Sequence, residues 1–182
     1  LKEYGFDQNK KTLFVFGGSQ GSLYLNQMME KILPSLTISN IQVIWQTGKD
    51  LYQNYSHNQS DMTKVLPFIE NMANAYALSD LVMSRSGAIT CSELTICGKP
   101  SILVPLSHSA ADHQIKNANA LVKNGAACML KEKNINPKKF AITIHDLLLD
   151  DEQLKNMSKA SFKLGKPKAT SDIVDEAIAL IK

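Results

Sequence analysis

Between Ser84 and Asn117 the sequence gathers most of the residues able to do chemistry. Arg85-Ser86-Gly87-Ala88 opens a predicted helix that runs through Ile89, Thr90 and Glu93, and a second loop ends in Asp112-His113-Gln114 and Asn117. After the apolar run Leu81–Ser84, Gly87 frees the backbone so that amide N–H groups at a helix start face one point, which suits a diphosphate. Glu93, a turn and a half further on and roughly on the side of Ile89 or Thr90, is placed to accept hydrogen bonds from sugar hydroxyls. The pattern predicts a nucleotide-sugar site. A solvated helix face is the alternative for Glu93, and the scarcity of other charges on that helix argues against it.

Three further loops carry candidate ligands. Phe16-Gly17-Gly18-Ser19-Gln20-Gly21-Ser22 follows a strand-like run, where Gly18 and Gly21 allow a sharp turn and Ser19 and Gln20 lie beside the amides of a helix start. A tight turn without a ligand is the competing reading. No Lys follows the glycines as a P-loop requires, and no Asp or Glu lies between Glu30 and Asp50 to hold a dinucleotide ribose, so ATP hydrolysis and NAD are both disfavoured. Glu93 then becomes the supplier of the ribose acid. In Pro67-Phe68-Ile69-Glu70-Asn71-Met72, the residues Phe68, Ile69 and Met72 flank a flat base, or else belong to the core. In the loop before Asn117, His113 and Gln114 suit sugar hydroxyls; Asp112 caps the helix in the plainer reading, and Asn117 bonds a neighbouring loop. His108 and His113 are general bases by type, but neither has a paired carboxylate or nucleophile in sequence, so no catalytic residue is assigned.

These loops need a scaffold that brings strand ends together. Six β-rich runs, Thr12–Phe16, Ile41–Gln46, Thr63–Pro67, Leu81–Ser84, Ser101–Pro105 and Ala127–Leu130, carry few charges, as strands buried on both faces should. Helix-period segments alternate with them at Leu23–Leu33, Ala73–Leu78, Ile89–Cys97 and Ile115–Asn124, the last followed by Gly125. Beyond residue 134 only helices are expected: one opened by Pro137, then Glu152–Leu164 and Ser171–Ile181, separated at Gly165-Lys166-Pro167. The alternation predicts an α/β fold, a Rossmann-like six-stranded parallel sheet with helices on both faces and ligands at the strands' carboxyl ends. Residues 1–182 read as one domain, with the helices of 150–182 packing on it.

The bulk numbers narrow the function classes. The 182 residues carry a net charge of +3, too weak for a nucleic-acid partner unless concentrated. Lysines gather between Lys131 and Lys168, which suits an anionic membrane surface or a solvated helical one. The lone arginine, Arg85, sits in the key loop, where its planar fork suits an anion. Cys91, Cys97 and Cys128 have no metal-ligand spacing and suit a reducing compartment. No acidic pair flanks the diphosphate loops, so neither metal nor cofactor is expected; Asp150-Asp151 reads as a helix start. Leu1 leads straight into a domain without a signal-like segment, so an excised piece of a longer protein is expected.

Taken in order, Gly-Gly-Ser-Gln-Gly, Phe-Ile-x-x-Met, Arg-Ser-Gly-Ala-x-Thr-x-x-Glu, Gly-x-Pro-x-Ile-Leu-Val-Pro and Asp-His-Gln-x-x-Asn-Ala closely resemble the carboxyl-terminal half of the MurG family. The resemblance spans nearly the whole chain and is strongest from residue 13 to 130. It implies half of a GT-B glycosyltransferase that transfers N-acetylglucosamine, with inversion, from UDP-GlcNAc to lipid I to form lipid II of peptidoglycan. By the same resemblance Ile69 and its loop hold uracil, Glu93 takes the ribose hydroxyls, Ser19 and the glycine turns meet the diphosphate with Ala88 behind them, and Gln114, beside His113, meets the donor sugar. Ser22 stands where the family more often has Ala, a departure expected to be without consequence. The family's acceptor site, its membrane-facing patch and its catalytic base belong to an amino-terminal domain outside this sequence. The resemblance further implies a cytoplasmic protein, peripheral on the inner face of the bacterial plasma membrane. A free-standing donor-binding subunit of the eukaryotic type, working with a separate membrane partner, and a non-catalytic nucleotide-binding module are the alternatives.

Overall fold

Six short apolar runs form one parallel sheet in the order β3-β2-β1-β4-β5-β6. The strands are β1 (Thr12–Phe16), β2 (Gln42–Gln46), β3 (Thr63–Leu66), β4 (Leu81–Ser84), β5 (Ser101–Leu103) and β6 (Ala127–Met129). The computed structural model describes residues 4–106, 112–134 and 136–181. Chain order reverses between β1 and β4, the switch point where an open α/β sheet leaves a crevice. Register levels the carboxyl ends, since Phe16 pairs with both Gln46 and Ser84, Gln46 with Leu66, and Ser84 with Leu103. The loops singled out in the sequence therefore emerge along one edge.

Alternation along each strand sorts the core into two layers. Leu13, Val15, Val43, Trp45, Leu81 and Met83 face one side, where they pack with helices α1 (Leu23–Ile38) and α6 (Pro137–Leu149) through Met29, Ile32, Phe140 and Ile144. Phe14, Phe16, Ile44, Val82 and Leu103 face the other, against α3 (Met72–Leu78), α4 (Ala88–Ile96) and α5 (His113–Lys123) through Tyr76, Leu94 and Leu121. A short helix α2 (Tyr52–Tyr55) with a 3₁₀ turn at Ser56–Asn58 was not evident in the sequence, because four residues carry no periodicity.

Helix α1 runs past its expected end at Leu33, with Pro34 inside it. Leu36 is buried against the same layer, and that packing outweighs the bond that proline removes. Pro137 opens α6 as expected, behind the cap Asn136. Asp150 caps α7 (Asp151–Leu164), its side chain accepting from Gln153 N–H at 2.8 Å. Leu154 and Met157 carry α7 into the core, and Ser161 Oγ donates to the Leu94 carbonyl of α4. The last helix, α8 (Ala169–Ile181), was expected to pack on the domain with the rest of 150–182, and it buries none of its residues. Among the described residues no helix is long and apolar enough to cross a membrane.

Candidate functional site

Two helix starts meet at the switch point. Leaving β1, the chain turns at Gly18 and Gly21, with φ of 96° and 80°, before Ser22 caps α1 by accepting from the Leu25 N–H. Gly21 has no room for a side chain, since a Cβ there would fall 1.9 Å from the Thr47 carbonyl oxygen. Leaving β4, the chain reaches α4 through Gly87, which has no side chain to cap it, so the first amides of α4 lack a side-chain acceptor. The two glycine loops and two helix starts line a cleft of about 590 Å³ with Arg85, Thr90, Leu106, Gln114 and Glu132.

Of the residues expected to bind a donor, Gly18, Gly21, Arg85, Gly87, Thr90 and Gln114 line that cleft. Ser19 and Gln20 are exposed on the first loop, and Ala88 and Ile89 on the first turn of α4. Phe68 and Ile69 line a separate cleft of about 730 Å³ with Tyr4, Lys64 and Asn71. Ile69 is buried and its N–H donates to Gln46 Oε1 at 2.8 Å, so that amide is already engaged inside the protein. Phe68 is half-exposed, with the Lys49 ammonium 5.6 Å from its ring centre, while Met72 packs against the core as a partly buried residue.

Glu93 lines neither cleft. It is partly buried and accepts from the buried Tyr76 hydroxyl at 2.9 Å, a bond that orients the carboxylate and leaves it further acceptor capacity. Burial first, and the Glu93 bond second, push the Tyr76 phenol well above its ordinary value.

The second polar loop braces the first. Ser86, fully buried, donates through Oγ to the Gln114 carbonyl at 2.8 Å, and Asn117 Nδ2 donates to the Ser86 carbonyl at 3.0 Å. Gln114 Oε1 accepts from the Leu106 N–H, which fixes its side chain at the cleft wall. Asn117 thus bonds a neighbouring loop, as its plainer reading held. Asp112 starts α5 in the left-handed region with φ of 53° and makes no side-chain cap, contrary to that expectation. His113 is exposed at the first position of α5, and His108 lies outside the described residues.

Arg85 lines the cleft with its guanidinium already engaged by partners within the protein. Its guanidinium pairs with Glu132 and donates to Ser22 Oγ at 2.8 Å and to the Val104 carbonyl at 3.0 Å. Ser22, expected to be without consequence, therefore caps α1 and receives Arg85 at once. Tyr24 flanks the pair, its phenol pushed up first by burial and then by the Glu132 charge, against the lowering effect of Arg85. Gln46 was likewise missed: its Nε2 donates to the Gly18 carbonyl and its Oε1 accepts from Ile69, so one amide joins two candidate loops. A polar residue ending an apolar strand was the only sequence signal. Among the described residues no group of three His, Cys, Asp or Glu stands ready for a metal ion.

Comparison with known proteins shows the family. The chain matches the glycosyltransferase family 28 C-terminal domain over residues 12–173. It is similar to the UDP-N-acetylglucosamine–N-acetylmuramyl-(pentapeptide) pyrophosphoryl-undecaprenol N-acetylglucosamine transferase of Flavobacterium psychrophilum, 41% identical over 180 residues that cover 98% of this chain and 49% of the relative. The transferase of the same name from Lactobacillus gasseri is 38% identical over 100% of this chain and 50% of its own length. Among solved structures, MurG of Acinetobacter baumannii superposes with a TM-score of 0.84 at 28% identity, covering 96% of this chain and 51% of that one. A UDP-N-acetylglucosamine 2-epimerase shares the fold alone, with a TM-score of 0.67 at 17% identity over 99% of this chain and 43% of the other. The chain spans about half the length of the relatives it matches. By the extent of its family match, this chain belongs to the glycosyltransferase family 28 C-terminal domain.

Proposed function

We propose that this chain is the donor-binding half of an inverting N-acetylglucosaminyltransferase that takes UDP-GlcNAc as donor and lipid I as acceptor. The observation that carries the reading is the cleft at the switch point, where the start of α1 and the uncapped start of α4 converge beside two glycine turns. Charge grows on the diphosphate as the anomeric C–O bond breaks, and fixed backbone dipoles stabilise it without having to reorganise. In this reading the acceptor's 4-hydroxyl attacks the anomeric carbon from the face opposite the diphosphate, UDP departs with the bonding pair, and the hydroxyl proton passes to a base outside this sequence. Thr90 and Gln114 stand at the wall nearest the transferred sugar, while Glu93, oriented by Tyr76, takes the ribose hydroxyls. The uracil lies along the Phe68–Ile69 loop, contacted by groups other than the Ile69 amide.

Similarity to named transferases of that specificity supports the sugar and the acceptor. A place on the cytoplasmic face of the plasma membrane, where anionic lipid meets the acceptor, belongs to the same proposal and concerns the longer protein.

Isothermal titration of the chain with UDP and ADP tests the donor reading. Binding is expected for UDP and much weaker for ADP, and Glu93→Ala should weaken UDP about tenfold or more, as losing hydrogen bonds to a charged group does. No heat with UDP, or equal heat with ADP, would favour a general nucleotide-binding module instead.

A further inference from the structure

The lone arginine is tied to a carboxylate that no motif marks. Arg85 Nη2 lies 2.5 Å from Glu132 Oε1, with the side chains only 11% and 16% exposed. The same guanidinium donates to Ser22 Oγ and to the Val104 carbonyl. It sits 5.9 Å from the centre of the Tyr24 ring, and the Tyr24 hydroxyl donates to the Glu132 backbone carbonyl at 3.2 Å. These contacts join the segments that follow β1, β4, β5 and β6 around a single cleft.

A carboxylate in the wall of a diphosphate cleft repels the ligand if it acts directly. The sign reverses if it acts through Arg85. A largely buried guanidinium that loses its counter-charge is strongly disfavoured and must move toward water, releasing Ser22 and Val104. Ser22 is the cap of α1, so the start of that helix would lose a restraint with it.

We propose that Glu132 is a positioning residue of the donor site, holding Arg85 against Ser22 and Val104 and so fixing the spacing of the two helix starts that receive the diphosphate. The inference rests on the donor-binding reading above. Glu132 acts at one remove, and Arg85 serves as a strut between loops.

Calorimetry with UDP and with uridine on the chain, on Glu132→Ala, on Arg85→Ala and on the double variant tests it. Glu132→Ala should bind UDP about tenfold more weakly, as breaking a buried pair implies, while uridine changes by less than about threefold because the base and ribose contacts lie elsewhere. The double variant should bind UDP no more weakly than Arg85→Ala, since both losses pass through one side chain. Unchanged or tighter UDP binding by Glu132→Ala, equal losses for UDP and uridine, or additive losses in the double variant would each overturn the proposal. If circular dichroism finds Glu132→Ala unfolded, Glu132→Gln, which keeps the size and removes the charge, is judged by the same criteria. Failure of the unsubstituted chain to bind UDP overturns the donor reading and this inference together, whereas normal binding by both the chain and its Glu132 variants overturns the inference alone.

Discussion

Tyr76 and Glu93 join α3 to α4 through a single side-chain hydrogen bond. The buried phenol donates to the carboxylate, which is itself only partly buried. Because the folded phenol is held above its ordinary 10.0, the unfolded chain releases this proton first as pH rises. Above about pH 10 the unfolded state binds fewer protons than the native state, so stability falls with rising pH, and below it the contribution is fully present. Tyr76→Phe should cost about 1 kcal/mol at lower pH and flatten the alkaline decline. Urea denaturation on either side of that pH checks both effects; an equally steep decline in the variant would remove Tyr76 from the account. Cys91 shows the same effect of burial: its thiol is pushed up to about 11, so slow alkylation in the native protein is expected.

At the scale of the elements, the glycines of the loop after β1 are not equivalent. Gly18 and Gly21 both have positive φ, but an added Cβ at Gly18 meets open space while at Gly21 it runs into the Thr47 carbonyl. Gly18→Ala should therefore cost about 1–2 kcal/mol of backbone strain alone. Gly21→Ala must also part the loop from the end of β2 and should cost distinctly more, with the thermal midpoint and UDP binding falling together. Equal midpoints for the two variants would show that the close approach to Thr47 does not shape the loop. Asn26 makes the same junction from α1, its Nδ2 donating to the Thr47 carbonyl and its Oδ1 accepting from Trp45 Nε1.

Across the whole molecule, buried side chains are concentrated on the two faces of the sheet, and α8 has none. Helix α7 reaches both layers, with Leu154 and Met157 in one and Ala160 and Leu164 against the other, so Leu154→Ala should cost about 2–5 kcal/mol. Helix α8 leaves Ile173, Val174, Ile178, Leu180 and Ile181 exposed, and deleting residues 169–182 should move the melting temperature by less than about 2 °C. A larger drop on calorimetric melting would mean that α8 supports the domain. The strand positions, the loop positions and the glycine turns were legible in the sequence because each depends on neighbours a few residues apart: apolar runs bounded by Gly, Pro or Ser, and helix starts directly behind them. The partners of the site were not. Arg85 with Glu132, Gln46 between Gly18 and Ile69, and Tyr76 with Glu93 each join side chains from different loops, and a charge or an amide looks the same in sequence whether it faces water or a partner. Local periodicity decided which loops follow the strands' carboxyl ends; only the folding of distant loops into contact decided which polar groups engage one another there, because burial leaves most such groups with a partner inside the protein.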